Sequence, residues 1–364
     1  MPRLLTVLVA MALIMPVPGW SGGVPDSLER SSAVCRNAER SVLLDVARAG
    51  NRLIAVGERG IIIWSDDTGK SWRQAEVPAS ESLTAVDFPT ATKGWAVGHG
   101  GIVLHTEDSG KTWSRQLDGA AAAKLALDAA EAAAQAAGPK DRGAQRRLAE
   151  AQRLVDDGPD KPFLDVQFED ERRGFIVGAY SLMFRTEDAG QTWTPWMDRL
   201  NNPKGLHLYA IRIIGEAVYL AGEQGLFLRS LDGGNTFERR DTPYPGAYFT
   251  LTADAAGAVV LAGLRGNAFR SADRGDSFSP VSVPIPASLN AVTRAEDGTL
   301  YFANQAGFVL VSRDQGRTLR PLPARRLPPV AALISLGPKA LLTVGWGGAI
   351  PVSLEAAGAA GGSP

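Results

Sequence analysis

The stretch SDDTGKSW at residues 65–72 is the first of six copies of one short pattern, which reads S/T-x-D-x-G-x-S/T followed by an aromatic or apolar residue. The copies occupy residues 65–72, 106–113, 186–193, 230–237, 271–278 and 312–319. Their third-position aspartates are 41, 80, 44, 41 and 41 residues apart. A period near 41 residues indicates a radial or stacked array of similar units, and the spacing of 80 indicates one period plus an insertion.

We call each copy of this pattern a box. A second recurring piece lies upstream of the boxes, for example VGERGIIIW at 56–64 and AGEQGLFLR at 221–229. Two apolar runs flanking a G-x-x-G turn predict a β-hairpin. A further apolar run precedes the hairpin, and a short segment follows the box. Together with the two strands of the hairpin, these pieces predict four strands in each repeat. A seventh copy at 330–353 keeps the turn but contains no box.

These units predict an all-β chain, a seven-bladed β-propeller of four-stranded blades that occupies residues 24–354. Because the seventh repeat lacks an outer strand, the segment from Asp26 to Ala38 is expected to supply it and close the ring. Residues 355–364 are expected to form a flexible tail.

The extra length between the second and third boxes predicts an α-helical hairpin insertion at 117–160, between blades 2 and 3. Residues 119–137 include 12 alanines, and Gly138-Pro139 separates them from a second arm. Alanine favours helix and Gly-Pro ends it. The second arm carries Arg142, Arg146 and Arg147 near the tip, where they are candidates to contact a partner or a membrane surface. The alternative is that the helical insertion contacts neither and has no role in function.

The first residues suggest export. A short positive start and a twelve-residue apolar stretch from Leu4 to Met15 precede small, turn-forming residues. This pattern predicts a signal peptide over residues 1–22 and a periplasmic or otherwise exported protein.

Composition removes several classes of function. The 38 Lys and Arg residues balance 39 Asp and Glu, so the general positive field that nucleic-acid binding requires is missing. The three histidines, His99, His105 and His207, have no metal-ligand spacing, and no phosphate-binding loop motif occurs. The sequence predicts neither a metal site nor a cofactor.

The residue types within the boxes indicate that the boxes have a structural role. An aspartate side chain can accept hydrogen bonds from the amides of its own turn, and the tryptophans provide apolar bodies for packing. Because all six copies share these features, a single catalytic residue is not expected among them. The residues with this expected role are Asp67, Asp108, Asp188, Asp232, Asp273 and Asp314, with Trp72, Trp113 and Trp193.

This constellation resembles the Asp-box or BNR repeat, which is shared by sialidases, some glycoside hydrolases, sortilin-like receptors and the photosystem II stability/assembly factor family. The form V/A-G-x-x-G-x-I/L-x-R-S/T-x-D-x-G-x-T-W and the period of 41 are most similar to a bacterial member of the last group. The resemblance implies a non-enzymatic propeller that binds a membrane-protein partner as assembly factor or accessory subunit. In a non-photosynthetic cell it implies an accessory of an RND-type exporter.

One repeat position varies in an informative way. Immediately before the six boxes stand Trp64, His105, Arg185, Arg229, Arg270 and Val311. The resemblance implies that arginine at this position belongs to a partner-binding patch, which makes Arg185, Arg229, Arg270 and the neighbouring His105 candidate contacts. The alternative is that each arginine pairs with an acid of the next blade and fixes the ring.

The rival function is a sialidase-like glycoside hydrolase or a glycan-binding propeller. A glycosidase of the ordinary kind needs two facing carboxylates. Asp45 and Asp165 hold equivalent places in first strands that should line the channel, where they are either such a pair or polar lining. No R-I-P tripeptide precedes the first box, so no catalytic residue is assigned.

Overall fold

A computed structural model describes residues 27–354, and successive strands pair antiparallel in chain order within seven separate sheets. Sheets 1 to 6 have four strands each, and sheet 7 has three. The mostly β architecture predicted from the repeats is therefore confirmed, and so is the missing outer strand of the seventh repeat. The signal-peptide prediction for residues 1–22 and the tail at 355–364 lie outside the described residues.

The strands of sheets 1 to 3 and the two helices follow one another along the first half of the chain. They are β1 (Leu43–Ala49), β2 (Arg52–Gly57), β3 (Ile62–Ser65), β4 (Arg73–Gln74), β5 (Leu83–Asp87), β6 (Gly94–Gly98), β7 (Val103–Thr106), β8 (Ser114–Leu117), α1 (Gly119–Ala137), α2 (Arg142–Asp156), β9 (Phe163–Phe168), β10 (Gly174–Gly178), β11 (Met183–Thr186) and β12 (Thr194–Pro195).

Sheets 4 to 7 repeat the arrangement in the second half. Their strands are β13 (Leu208–Ile214), β14 (Ala217–Gly222), β15 (Phe227–Ser230), β16 (Glu238–Arg239), β17 (Tyr248–Ala253), β18 (Val259–Gly263), β19 (Ala268–Ser271), β20 (Ser279–Pro280), β21 (Leu289–Arg294), β22 (Leu300–Asn304), β23 (Val309–Ser312), β24 (Arg320–Pro321), β25 (Val330–Ser335), β26 (Ala340–Gly345) and β27 (Gly348–Ser353).

The two glycines of each G-x-x-G turn serve different purposes. Gly60 has φ +72°, a conformation that side chains rarely adopt. Gly57 is extended, but a Cβ there would lie 2.1 Å from the carbonyl oxygen of Val42, just before β1. The first glycine therefore allows the preceding chain to cross closely, which the turn pattern alone does not reveal.

Two faces follow from this topology. The turns between second and third strands lie at one end of the sheets, here called the turn face, and they include residues 58–60, 99–101 and 179–181. Each third strand runs from the turn face to an Asp box, so the boxes lie on the opposite face, here called the box face. The link between consecutive sheets returns to the turn face.

The core is divided among the interfaces between neighbouring sheets. Seven buried apolar clusters each join two consecutive sheets, and one of them joins sheet 7 to sheet 1 through Leu342 and Leu43. Strand β1 contacts both β5 and β25, and Arg48 donates from Nη2 to the carbonyl oxygen of Ser335 at 2.7 Å. Sheet 1 is thus packed against sheets on both sides.

The expected closing strand from Asp26 to Ala38 is wrong. None of residues 27–38 belongs to a strand, and Asp26 itself lies outside the described residues. The segment runs along sheet 1 instead: the Ser32 N–H donates to Val77 O at 3.0 Å, and the Cys35 N–H donates to Gln74 Oε1 at 2.8 Å. With those amides engaged there, only the 3-10 turn Ala38–Arg40 packs against β27.

The helical hairpin is docked on the sheets. Asp118 and Asp141 cap α1 and α2 by accepting the N–H groups of Ala121 and Ala144, each at 2.9 Å. The helices pack through buried alanines, which are Ala122, Ala123, Ala126, Ala134, Ala144 and Ala151. Leu125 and Leu154 join the cluster between sheets 2 and 3. In residues 27–354 no helix is both long and apolar enough to cross a membrane.

Carboxylates on three inner strands bridge neighbouring sheets. Asp45 accepts the N–H of Val86 at 2.9 Å, and Asp87 accepts that of Phe168 at 2.8 Å. Asp165 accepts the N–H of Ile211 at 2.8 Å. Each carboxylate satisfies a backbone donor that belongs to the next sheet, so these inner-strand bridges help to set the spacing of the sheets.

The charge on two of these carboxylates, those of Asp45 and Asp87, costs stability. Burial raises the pKa of Asp45 to about 7, although the hydrogen bond from Val86 acts the other way and the charge of Asp165 adds to the rise. Burial likewise raises the pKa of Asp87 to about 6. A raised folded-state pKa means that ionisation disfavours the folded chain: the stability is fully present below about pH 4 and is lost as pH rises through 7.

We expect Asp45→Asn to flatten this dependence. Between pH 5 and pH 8 the wild-type free energy of unfolding should fall by about 2 to 3 kcal/mol more than that of the variant, from about 1.4 kcal/mol per pKa unit. Urea unfolding of both proteins across this range measures the difference. Parallel curves would show that Asp45 keeps its ordinary pKa in the folded chain.

Candidate functional site

The first Asp box shows how the repeated aspartate is used. Asp67 Oδ1 accepts the N–H groups of Lys70 and Ser71 at 3.0 and 2.9 Å, and Oδ2 accepts the Ser71 hydroxyl. The Ser65 hydroxyl donates to Asp67 at 2.8 Å and accepts the N–H of Gly69 at 2.9 Å. Hydrogen bonds from Ser71, and then from Ser65, hold the pKa of Asp67 well below its usual range.

The other five boxes repeat this network. In the fourth box, partial burial acts in the opposite direction, but hydrogen bonds from Ser230 and Thr236 lower the pKa of Asp232 to about 2. The indole N–H groups of Trp72 and Trp113 donate to Gly69 O and Gly110 O, at 3.2 and 3.1 Å. The aspartates Asp108, Asp188, Asp273 and Asp314 accept from their own turns in the same way. A carboxylate so engaged has little capacity left for a ligand.

The three arginines before the boxes all reach toward the next sheet. Arg185 donates to Asn235 Oδ1 at 3.2 Å, and Arg270 donates from Nε to Gln315 O at 2.7 Å. Arg229 donates to Arg274 O and to Asp276, each at 3.0 Å.

The arginines differ in how far they are engaged. Arg229 is 7% exposed and also pairs with Glu238 at 3.4 Å. Arg185 pairs with Glu187 at 2.9 Å and lies over the ring of Trp196. Arg270 is half-buried and forms no ion pair with any carboxylate of residues 27–354. Arg270 is thus the member of the row with the most accessible charge.

Side chains from other positions make the same kind of contact, which the sequence pattern did not reveal. Arg52 donates to Ser109 O at 3.1 Å, and Gln116 donates to Ala189 O at 2.8 Å. Ser109, Ala189, Arg274 and Gln315 each follow a box aspartate and have φ between 59° and 63°. Their carbonyls point to the preceding sheet, which supplies a donor. We call these hydrogen bonds box-carbonyl contacts.

His105 does not join the arginines on an accessible surface. Its side chain is buried, and its ring lies 4.7 Å from that of Trp95. Burial lowers the pKa of His105, against the raising effect of Glu107. The imidazole therefore packs within sheet 2.

The arginines of the hairpin are exposed and lie on a different element from the row. Arg142, Arg146 and Arg147 are on α2, which returns to the turn face. Arg146 pairs with Glu150 at 2.7 Å and donates to Pro203 O at 2.5 Å. The partner helix α1 contacts β12, the strand that pairs with Arg185, so the hairpin lies along the outer edge of sheet 3.

The carboxylates considered for glycosidase chemistry are committed to the fold. Asp45 and Asp165 each accept a backbone N–H of the next sheet, and Asp165 also pairs with Arg212 at 2.9 Å. Across residues 27–354, no three His, Cys, Asp or Glu side chains converge as a metal site would require.

Among solved structures, the fold is similar to two of different activity. One, described as "YCF48 bound to D1 peptide", has a TM-score of 0.59, 15% identity, and coverage of 86% of this chain and 94% of that one. The other, virginiamycin B lyase from Staphylococcus aureus, has a TM-score of 0.64, 10% identity, and coverage of 89% and 97%. At such identities the likeness shows the propeller fold alone.

The sequence comparisons identify the family. The chain is 35% identical over 92 residues to the photosystem II assembly lipoprotein Ycf48 of Synechococcus sp. (strain CC9902), a match that covers 25% of this chain and 28% of that relative. The model of the photosynthesis system II assembly factor YCF48 family matches residues 32–137 and 145–321. This match spans most of the sheets, and the chain therefore belongs to the YCF48 family.

Proposed function

We propose that this chain is a non-enzymatic, exported assembly factor or accessory subunit that binds an exposed peptide segment of a membrane protein. The observation that carries the proposal is the family match across residues 32–137 and 145–321, since a family relative has been solved with a D1 peptide bound. In a photosynthetic cell the partner is a photosystem II subunit. In other cells it is an RND-type exporter.

Two features of the structure support a binding role without catalysis. The box aspartates and the inner-strand carboxylates accept backbone N–H groups, and Asp165 also pairs with Arg212, so their hydrogen bonds serve the fold. The packing of sheet 7 against sheet 1 supports a closed ring of seven blades, which presents two broad faces to a partner. Two observations support export in this proposal, the signal-like pattern of residues 1–22 and the lipoprotein name of the Synechococcus relative.

Affinity capture tests the proposal directly. The tagged mature protein, expressed in its own cell and captured from the detergent-solubilised envelope, should enrich a photosystem II subunit or an RND-type exporter subunit over an unrelated exported propeller. Recovery of soluble periplasmic proteins alone, with no membrane protein enriched by mass spectrometry, would contradict it.

The arginine row separates into structural and contact members. Arg229→Gln should lower the free energy of unfolding by about 1 to 3 kcal/mol, because it removes the guanidinium that donates to Arg274 O and leaves Asp276 with Arg240 alone. Arg270→Gln should cost less, about 0.5 to 1 kcal/mol, because it removes only the hydrogen bond to Gln315 O. If Arg270 contacts the partner, its variant should weaken capture, and the wild-type complex should weaken as salt rises.

If Arg270→Gln and the wild-type protein are captured equally well, the row is not part of the binding surface. If Arg270→Gln loses as much stability as Arg229→Gln, the structural role of Arg270 equals that of Arg229.

The hairpin is expected to add specificity for the partner. Residues 120–158 can be replaced by a short Gly-Ser link, which keeps Leu117 in β8 and the turn at Gly119. The ring should still fold, with a lower melting temperature because Phe163 and Leu182 lose apolar cover. Partner capture should be lost if the hairpin takes part in binding. Unchanged capture would make the hairpin a decoration.

A further inference from the structure

We propose that the turn face binds an extended peptide at an aromatic ridge formed by Tyr180, His207, Tyr209 and Phe249. An aromatic or branched apolar side chain of the peptide would pack on the ridge, and an acidic side chain would pair with Arg265. This inference rests on the proposed function and adds the surface and the peptide chemistry to it.

The ridge is continuous across three sheets. The rings of Tyr180 and His207 are 4.8 Å apart, those of His207 and Tyr209 6.2 Å, and those of Tyr209 and Phe249 5.5 Å. The Tyr180 N–H donates to His207 Nδ1 at 3.0 Å, which fixes the imidazole beside the turn. The ridge therefore leads from the rim of sheet 3 to the inner strands of sheets 4 and 5.

Exposure distinguishes the ridge from the core. Tyr180 is 59% exposed, and the three other rings are half-buried. The second turn residue is Arg59 in sheet 1, Gly100 in sheet 2 and Gln224 in sheet 4, so an aromatic side chain is particular to sheet 3 among these. The turn of sheet 7 also exposes a ring, that of Trp346 at 71%, but among residues 27–354 no ring contact joins it to another aromatic side chain. The continuous row of four rings is therefore what sets the ridge apart, and a binding site on a repeated scaffold should differ from its repeats in this way.

The geometry favours side chains over sugars. Interplanar angles of 65° to 89° place each ring edge against the face of its neighbour. This arrangement leaves notches between rings rather than one broad flat platform, and aromatic anchors in such notches carry much of the binding energy of peptide interfaces.

Charges around the ridge select the peptide. Lys161 lies 5.2 Å from the ring of Tyr180, but it pairs with Asp157 and Asp160 at 3.2 and 2.6 Å. Glu223 accepts the His207 N–H at 3.3 Å and lies 4.0 Å from His207 Nδ1.

Arg265 occupies the tip of the turn in sheet 5, two residues after Gly263, which pairs with Tyr248 next to Phe249. Its backbone N–H donates to Ser288, while its exposed guanidinium pairs with no carboxylate within residues 27–354. Arg265 is thus a cation of the turn face that no carboxylate among the described residues neutralises, and a guanidinium binds carboxylates through two parallel hydrogen bonds.

The experiment measures binding of fluorescein-labelled peptides to the full mature protein by anisotropy. The probes are the D1 peptide and a short Gly-Ser peptide with one phenylalanine and one aspartate, compared with versions in which alanine replaces the phenylalanine or lysine replaces the aspartate. The protein variants are Tyr180→Asn, which tolerates positive φ, Phe249→Ser and Arg265→Gln. Arg59→Gln is the matched control, because Arg59 has the same turn position on sheet 1.

We expect Tyr180→Asn and Phe249→Ser each to weaken binding about tenfold, and Tyr180→Phe to retain it. Arg265→Gln should weaken the acidic peptide about threefold to tenfold and reduce the salt dependence, while Arg59→Gln should change nothing. Thermal unfolding of each variant verifies that the fold is intact.

Equal affinity of Tyr180→Asn, Phe249→Ser and wild type would overturn the ridge but leave the proposed function standing, above all if Arg270→Gln then loses binding. Failure of the wild-type protein to bind any peptide, together with failure to capture a membrane protein, would overturn both. Preferential binding of oligosaccharides at the ridge would also overturn the peptide assignment.

Discussion

The ring depends on side chains of one sheet that satisfy backbone groups of the next. On the channel side, Asp45, Asp87 and Asp165 accept amide N–H groups. Near the boxes, Arg229, Arg270 and two other side chains donate to the carbonyl of the residue that follows the aspartate in four of the six boxes. A sheet with four short strands leaves backbone groups at its edges, and buried groups of this kind need partners. The repeat solves this need locally, so each sheet carries the partners for its neighbour.

This constraint explains why the arginine row cannot be assigned as a whole to partner binding. Arg229 forms a box-carbonyl contact and two ion pairs. If its guanidinium turned toward a partner, these structural bonds would be lost. Arg270 makes the same kind of contact through Nε alone, which leaves its terminal nitrogens directed away from the shared bond. Equivalent positions in a repeat can therefore have unequal roles, because the neighbouring box supplies Asp276 in one case and none in the other.

Features that local interactions determine could be predicted from the sequence, and features that depend on contacts between distant residues could not. Boxes, hairpins and the alanine-rich helices were predictable because local hydrogen bonds and helix propensity determine them within a few residues. The position of the N-terminal segment could not be predicted. Whether the segment packs on β27 or on sheet 1 depends on long-range hydrogen bonds, such as the one that the Cys35 N–H donates to Gln74, 39 residues away. The burial of His105 was equally hidden, because it depends on the cross-strand neighbour Trp95.

The same reasoning indicates which face should carry specificity. On the box face, six similar networks use the side chains that the six repeats share, and their carboxylates and hydroxyls bond within each box. The turn face has no such internal bond at the second turn residue, where positive φ directs the side chain outward, as in Arg59, Tyr180 and Arg265. That position can change without loss of a box or a bridge. The hairpin is joined to the chain on the same face. The turn face is therefore where the repeats differ both in their side chains and in their length. The box networks of the opposite face hold the ring together.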